Sequence, residues 1–205
     1  MRISFIRSGL FLLSCALLSA AAAKAENDVA LSLYGAFSGT TNGNGTQQSP
    51  ANAAGGMVEL RHISNPLIGY EATYSFNRAN QTYTSCGVIT PVCTRDSVSA
   101  NAHEIGADWV ASVHVANFRP FALAGVGALF NEPVTGRTSL SSVTSSTKPV
   151  FIYGAGLDWS LISHLGLRFQ YRGNLYKAPN LIRTFTSTDA FTHTAEPMIG
   201  AYFRF

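Results

Sequence analysis

Lysine is almost absent from this chain. The 205 residues include three lysines, and only Lys148 and Lys177 lie beyond residue 25. Soluble proteins usually carry many lysine and glutamate side chains on their surface. The composition therefore argues against a protein whose whole surface faces water.

The sequence also lacks an apolar run long enough for a membrane-spanning helix, which needs about 20 residues. The N-terminal run at 10–20 follows two arginines and precedes Ala23-Lys24-Ala25, a small-x-small cleavage pattern. This order is typical of a secretory signal peptide. We therefore predict a signal peptide over 1–25, which is cleaved, and one mature domain over 26–205.

An acylated cysteine is the alternative interpretation of the N-terminal segment. Residues 12–15, which end in Cys15, loosely resemble a lipoprotein box. The apolar run continues past Cys15, however, and a better-placed cleavage pattern follows it. The later cleavage site is therefore favoured.

The mature domain carries no formal net charge. Removing residues 1–25 takes away three of the 14 basic residues and no acidic residue, which leaves 11 of each sign. A balanced domain without a basic patch argues against nucleic acid as a partner.

Two cysteines remain in the mature domain, Cys86 and Cys93. An exported chain meets an oxidising compartment, where a disulfide is the expected state of such a pair. A redox or metal site is the alternative, but six intervening residues and the lack of a nearby histidine argue against it. We predict a Cys86–Cys93 disulfide.

Helical periodicity is missing as well, and period-two alternation takes its place. In the segment 67–77, Ile68, Tyr70, Ala72, Tyr74 and Phe76 alternate with residues that are nearly all small or polar. Successive side chains of a strand point to opposite faces, so this segment is predicted to be a strand with one apolar and one polar face.

Seven further segments are predicted to be strands in the same way. The eight predicted strands cover residues 28–38, 55–63, 67–77, 98–113, 118–131, 149–160, 165–176 and 193–205. Short connections at 64–66, 114–117 and 161–164 alternate with long ones at 39–54, 78–97, 132–148 and 177–192. This pattern predicts an all-β fold: an eight-stranded antiparallel up-and-down barrel with three short turns at one rim and four long loops at the other.

Alternation alone does not say whether the apolar face of a barrel points inward or outward. The scarcity of lysine, with none inside a predicted strand, favours an outward apolar face in a membrane. Aromatic residues near the strand ends, such as Trp109 and Trp159, favour the same arrangement, because tryptophan and tyrosine prefer the membrane interface. We therefore predict a transmembrane β-barrel with periplasmic turns and extracellular loops.

The polar face then points into the barrel and carries both signs of charge. An eight-stranded lumen is just wide enough to be filled by side chains, and buried charges must be paired. We predict a lumen charge network made of these residues: Glu59, Arg61, Glu71, Glu104, Asp108, Asp158, Arg168, Arg172, Glu196 and Arg204.

The C-terminus ends in alternating aromatic residues, Tyr202, Phe203 and Phe205. This ending resembles the assembly signal of outer-membrane barrels, and the whole mature chain resembles the small outer-membrane β-barrel family that includes the OmpA transmembrane domain and OmpX. The resemblance implies a place in the outer membrane of a Gram-negative cell envelope. It also implies contacts with outer-membrane lipid and lipopolysaccharide, and with the barrel assembly machinery and periplasmic chaperones during biogenesis.

A candidate catalytic motif occurs at 62–65, where His62-Ile63-Ser64-Asn65 resembles the His-x-Ser-Asn of outer-membrane lipid A deacylases. Glu59 or Glu71 would be the acidic partner of the histidine. The motif falls at a short turn that is predicted to be periplasmic, whereas that family's motif lies late in its barrel near the outer leaflet. Ser64-Asn65-Pro66 is also ordinary turn chemistry, so no catalytic residue is predicted.

The sequence therefore favours a non-enzymatic barrel with a structural or surface-interaction role in adhesion or recognition, whose long loops meet an extracellular ligand. No cofactor and no metal site are predicted. Three alternatives remain open: a lipid-modifying enzyme, a narrow solute or ion channel, and a soluble periplasmic lipid-binding barrel.

Overall fold

The computed structural model describes residues 26–65, 67–87, 92–138 and 142–205. The predicted signal peptide and Cys15 lie outside these residues. No helix in the described ranges is long and apolar enough to cross a membrane.

Ten antiparallel strands are present in the described residues. They are β1 (Glu26–Ser38), β2 (Thr41–Gly43), β3 (Thr46–Pro50), β4 (Ala53–Asn65), β5 (Ile68–Cys86), β6 (Cys93–Ser112), β7 (Phe118–Pro133), β8 (Ser146–Ser160), β9 (Leu165–Lys177) and β10 (Phe191–Arg204). Eight of them close a barrel in the order β1-β4-β5-β6-β7-β8-β9-β10, and β10 pairs back onto β1 from Asp28↔Arg204 to Ser38↔Thr194. The predicted eight-stranded up-and-down barrel is confirmed.

The barrel exposes its apolar face and buries its polar face. Leu33 and Trp109 point outward, and 70% and 69% of their surface is exposed. Glu59, Arg168 and Arg172 point inward and have an exposed fraction of 0%. A continuous apolar surface of this kind is unfavourable in water and favourable in lipid. The closed sheet also leaves no unpaired backbone edge in the lipid. The prediction of an outward apolar face is confirmed.

The two rims of the barrel differ. The turn end carries the short connections 66–67, 113–117 and 161–164 together with both strand termini, Glu26 and Arg204. The loop end carries the other four connections. In membrane barrels the short turns are periplasmic and the longer loops extracellular, which orients the chain.

The strand bounds predicted at the loop end are wrong for two connections. Residues 78–97 were expected to be a loop, but β5 continues to Cys86 and β6 begins at Cys93, with Cys86 opposite Cys93. Residues 39–54 contain the β2–β3 hairpin, and β3 pairs with the extension of β5. The Gly-, Ser-, Thr- and Asn-rich composition hid these strands, because packing against another segment of the chain stabilises them.

That segment is the connection 178–190, which folds across the barrel mouth. It forms a hydrophobic core with the β5–β6 extension. The members of this core are Tyr83, Val98, Ala100, Leu181, Ile182 and Phe185. We call the described parts of residues 41–50, 78–101, 134–145 and 178–190 the platform.

Tyr83 connects the β5 extension to the 178–190 segment. Its hydroxyl donates to the carbonyl of Pro179 at 2.8 Å and accepts from the backbone N–H of Leu181 at 3.1 Å. Burial raises the pKa of the Tyr83 phenol well above its usual range, so the hydroxyl stays protonated and keeps donating.

Tyr83→Phe is therefore expected to loosen the platform without unfolding the barrel. The Leu181 N–H and Pro179 carbonyl lose their buried partner, which costs about 1–3 kcal/mol locally. Hydrogen exchange of residues 178–190 should become faster, while the barrel strands keep their protection. Tyr70→Phe, on the lipid-facing surface, is the control. It should change neither the exchange of residues 178–190 nor the protection of the barrel strands. Unchanged exchange at 178–190 in Tyr83→Phe would contradict this role for Tyr83.

Candidate functional site

The turn-end half of the lumen is organised around Arg168 of β9. Its guanidinium contacts Asp158 at 2.8 Å, Asp28 at 2.9 Å and Glu59 at 2.5 Å, and all four side chains are fully buried. Strands from opposite sides of the barrel place these groups at the same height. The arrangement satisfies the desolvated charges, which would otherwise cost several kcal/mol each.

Two more arginines complete this turn-end cluster. Arg61 contacts Glu71 at 2.5 Å and Asp158 at 3.3 Å. Arg119 contacts both Asp28 and Asp158 at 3.2 Å. Asp28 and Arg119 are not among the predicted network residues, although alternation along β1 and β7 places both on the inward face.

A second cluster lies closer to the loop end, around Arg172 of β9. Arg172 contacts Asp108 at 2.9 Å and Glu104 at 3.4 Å, and it donates to the hydroxyl of Thr73 at 3.0 Å. Asn174 also donates to Glu104, at 3.0 Å. Arg172 is the only cation that the described residues place within 4 Å of these carboxylates.

The two remaining members of the predicted network lie at its edges. Arg204 sits at the turn-end rim, 3.4 Å from Glu26. Glu196 is buried in the upper lumen, and among the described residues its Oε2 has no hydrogen-bond partner. The structure therefore brings together eight of the ten predicted residues in two clusters and places the other two beside them.

Apolar side chains also enter the lumen from several strands, among them Val110 of β6 and Ile152 of β8. The inward face of β7 holds Phe121, Leu123 and Leu129, all buried. The guanidinium of Arg61 lies 4.1 Å from the centroid of the Phe121 ring, a cation–π contact that is stronger when desolvated. The sequence of β7 is therefore apolar at most of its inward positions as well as at its outward ones.

Buried side chains of the two clusters occupy the turn-end half and the middle of the lumen. Between the Arg172 cluster and the platform lies a cavity of about 30 Å³, lined by Glu104, Asn174, Tyr176 and Glu196 among others. This volume has room for about two water molecules. Below it the two clusters fill the barrel, and above it the 178–190 segment crosses the mouth.

The candidate catalytic motif is not assembled. His62 points outward at the turn end and bonds Asn27 at 2.8 Å, whereas Glu59 and Glu71 point inward and are buried in the ionic cluster. Alternation along β4 puts His62 and Glu59 on opposite faces of the sheet. No group of three or more metal-ligating His, Cys, Asp or Glu side chains occurs in the described ranges.

The predicted disulfide is present. Cys86 and Cys93 are bonded at the far end of the β5–β6 extension. The bridge covalently links the two strands at the end of the β5–β6 hairpin, and it limits the conformations of this hairpin.

The C-terminal aromatics alternate as the sequence indicates. Tyr202 points into the lumen, where its hydroxyl lies 2.8 Å from Ser160 Oγ. Phe203 and Phe205 point outward and stack on each other, with ring centroids 6.4 Å apart. Their role as an assembly signal remains a prediction.

Charge is separated along the barrel axis. Eight carboxylates and five arginines lie in the lumen or at its turn-end rim, which leaves a formal charge of −3 there. The loop end holds three carboxylates and six cations, which leaves +3. The six cations are Arg78, Arg95, Arg137, Lys148, Lys177 and Arg183. None of them lies within 4 Å of a carboxylate of the described residues.

Three of these cations lie on adjoining segments of the platform, and we call them the arginine trio: Arg95, Arg137 and Arg183. Asp96, next to Arg95 in β6, accepts a hydrogen bond from the hydroxyl of Thr138, which follows Arg137, so the backbone segments that carry these two arginines adjoin. Arg137 forms a β-bridge with Ser142, whose carbonyl accepts from the backbone N–H of Arg183 at 3.2 Å. All three arginine side chains are exposed.

A closed barrel with a lipid-facing apolar band and a polar, filled lumen defines the chain as an outer-membrane β-barrel protein. Residues 10–203 match the family described as outer membrane protein beta-barrel domain. The chain belongs to this family, and its place is the bacterial outer membrane. No curated protein matches the chain significantly in sequence.

Solved structures share the fold at low sequence identity. Ail, the attachment invasion locus protein of Yersinia pestis, solved in complex with the heparin analogue sucrose octasulfate, is 15% identical with a TM-score of 0.54, covering 89% of this chain and 100% of Ail. Neisserial surface protein A is 14% identical with a TM-score of 0.58, covering 87% and 97%. OprG from Pseudomonas aeruginosa is 10% identical with a TM-score of 0.61, covering 89% and 96%. These likenesses establish the fold.

Proposed function

We propose that this protein is a surface-interaction barrel whose arginine trio binds anionic polysaccharides outside the cell. The observation that carries the proposal is the separation of charge, because a structured platform presents three exposed arginines while the acidic excess is buried in the lumen. The membrane-spanning part then serves as an anchor.

The closed lumen supports a role on the surface rather than transport. The two ionic clusters fill the barrel, and the 178–190 segment packs its apolar side chains over the mouth. The platform has a hydrophobic core of its own, a disulfide at its tip and a paired β2–β3 hairpin. A barrel that only anchors itself in lipid needs none of these features, whereas a preorganised binding surface loses less entropy when it binds.

Arginine suits sulfate and phosphate groups in particular. Its planar guanidinium donates two parallel hydrogen bonds to such oxyanions. Arg95 lies far from the lipid. It is eight residues along β6 from His103, whose ring packs on the lipid-facing Phe76, and eight residues span about 26 Å of strand. A ligand that reaches the trio therefore comes from outside the membrane. Sucrose octasulfate, the heparin analogue bound by Ail, belongs to the class of ligand proposed here.

Replacing the trio is expected to weaken binding to a sulfated polysaccharide strongly. Purified protein in detergent should bind immobilised heparin, and Arg95→Gln, Arg137→Gln and Arg183→Gln should each weaken the affinity by about threefold to tenfold. The triple variant should lose about 100-fold, since each charge-assisted contact contributes of the order of 1 kcal/mol. Binding should weaken steeply as salt rises, because the contacts are exposed.

Lys148→Gln is the matched control. It removes one loop-end cation outside the trio and should change the affinity by less than twofold. Uncharged dextran should not bind wild type. Heparin affinity that falls equally in Lys148→Gln and in the single trio variants would mean that net charge alone acts, and it would overturn the proposed site.

A further inference from the structure

Three carboxylates of the upper lumen share one arginine. They are Glu104 and Asp108 of β6 and Glu196 of β10. Among the described residues, Arg172 is the only cation within 4 Å of any of them, and it contacts Asp108 at 2.9 Å and Glu104 at 3.4 Å. Three negative charges and one positive charge leave a formal charge of −2 in this part of the lumen. A buried excess of this size is unfavourable unless a further positive charge compensates it.

Glu196 is the carboxylate that Arg172 does not reach. The two residues are opposite each other in the β9–β10 register, but the guanidinium extends across the lumen to Asp108 and to the hydroxyl of Thr73. Glu196 is 3% exposed, and within the described ranges its Oε2 has no hydrogen-bond partner. The side chain lines the cavity above the Arg172 cluster, so a buried and unpaired carboxylate borders that cavity.

Neutral oxygen atoms line the same cavity. Asn174 of β9 is 1% exposed and its amide donates to Glu104 at 3.0 Å, which leaves its carbonyl oxygen Oδ1 without a partner among the described residues. The hydroxyl groups of Tyr176 and Ser38 lie 2.8 Å and 2.7 Å from Thr194 Oγ1, and these three residues also line the cavity. A hydroxyl has one hydrogen and two lone pairs, so this hydroxyl chain can turn a lone pair toward the cavity.

The oxygen ligands and the charge indicate a hard divalent cation. Carboxylate, amide carbonyl and hydroxyl oxygens suit Ca²⁺ and Mg²⁺, whereas zinc and copper prefer imidazole and thiolate. None of the described residues that line the cavity is a histidine or a cysteine. The cavity of about 30 Å³ has room for about two water molecules. Mg²⁺ usually keeps several waters, while Ca²⁺ accepts a shell made largely of protein oxygens, so the small volume favours Ca²⁺.

We propose that the upper lumen binds one Ca²⁺ ion between Glu196, Glu104 and the carbonyl oxygen of Asn174. A charge of +2 cancels the excess of −2. The ion reaches the cavity from the loop end, because the ionic clusters occupy the lumen below it. The sequence predicts no metal site here, since the ligands come from three strands and form no contiguous motif. This inference concerns the lumen and is independent of the arginine trio.

Calorimetric titration of the purified barrel with CaCl₂ tests the proposal, with the protein in an uncharged detergent. Wild type should bind one Ca²⁺ per barrel with a Kd of about 0.1–1 mM, the range of extracellular calcium sites. Glu196→Gln keeps the shape of the side chain and removes its charge, and it should bind at least tenfold more weakly. Glu132→Gln is the matched control, because Glu132 is an exposed carboxylate of β7 outside the cavity. Its affinity should equal that of wild type.

Urea unfolding separates loss of the site from loss of the fold. In EDTA, Glu196→Gln should unfold at the same urea concentration as wild type or at a higher one, because it lacks the uncompensated buried charge. About 10 mM CaCl₂ should raise the unfolding midpoint of wild type and of Glu132→Gln, since a ligand that binds only the folded state stabilises it. The midpoint of Glu196→Gln should not change.

Four results would contradict the proposal. If wild type binds no Ca²⁺, protons compensate the carboxylates instead. Equal affinities of wild type and Glu196→Gln would place the ion elsewhere on the protein. Mg²⁺ that binds as tightly as Ca²⁺ would contradict the small, dehydrated site. Loss of Ca²⁺ binding in about 0.1 M NaCl would identify either an exposed, screened site or a site for a monovalent ion.

Discussion

Arg168→Met is expected to be the most destabilising single change in the turn-end half of the barrel. The substitution leaves Asp28, Glu59 and Asp158 buried with one contact fewer each, and only Arg61 and Arg119 remain to compensate them. Removing one partner of a buried ion pair typically costs about 3–5 kcal/mol. Urea unfolding of the barrel refolded into lipid vesicles should show this loss in the free energy of unfolding.

Arg204→Met is the matched control for this prediction. Arg204 lies at the turn-end rim and has a single carboxylate contact, at 3.4 Å to the half-buried Glu26. Its loss should cost less than about 1 kcal/mol. If both variants unfold at the same urea concentration as wild type, the turn-end cluster does not hold the barrel together.

Arg172→Met is expected to have an effect of similar size that depends on pH. Because Arg172 is the cation shared by Glu104 and Asp108, with Glu196 nearby, its loss leaves a buried group of carboxylates without a counter-charge. At pH 7 the cost should be about 3–5 kcal/mol. Protonated carboxyl groups carry no charge, so the difference from wild type should shrink as the pH falls toward 4.

The direction of the pH effect separates two explanations of why Arg172→Met is less stable than wild type. If Arg172 mainly fills space in the lumen, the methionine variant should be equally destabilised at pH 4 and pH 7. If Arg172 neutralises carboxylates, the difference in the free energy of unfolding should fall by more than half. A difference that grows at low pH would contradict the charge account.

The barrel itself could be predicted from sequence because one periodic signal covers most of it. Alternating residues on β5 and β9 face lipid and lumen in turn, so a strand and its orientation are read from the same pattern. The lumen charges followed from that orientation. The same alternation places Asp28 and Arg119 on the inward face, although each stands at the very start of its predicted strand, at 28–38 and 118–131, where the pattern is only beginning.

The platform could not be predicted in the same way. The residues of the β5–β6 extension alternate only weakly, and Tyr83 and Val98 are buried by a segment about 100 residues away in sequence. The trio is likewise a product of tertiary contacts, since Arg95 lies on β6 while Arg137 and Arg183 lie on two separate connections. Balanced net charge concealed it, because the lumen excess of −3 cancels the loop-end excess of +3.

The catalytic interpretation fails for a simple geometric reason. A motif at 62–65 looks continuous in the sequence, but neighbouring residues of a strand point to opposite sides of the sheet. His62 therefore hydrogen-bonds Asn27 at the outer surface. The carboxylates that would orient it, Glu71 and Glu59, form ion pairs in the lumen with Arg61 and Arg168.

Adhesion of intact cells to a heparin-coated surface tests the central claim most directly, because it requires the barrel to be inserted, oriented with the platform outside and active through the trio. Cells producing wild type should adhere, and cells producing equal surface amounts of the Arg95→Gln, Arg137→Gln, Arg183→Gln triple variant should adhere no better than cells without the protein. Equal adhesion by wild-type and triple-variant cells would contradict the account.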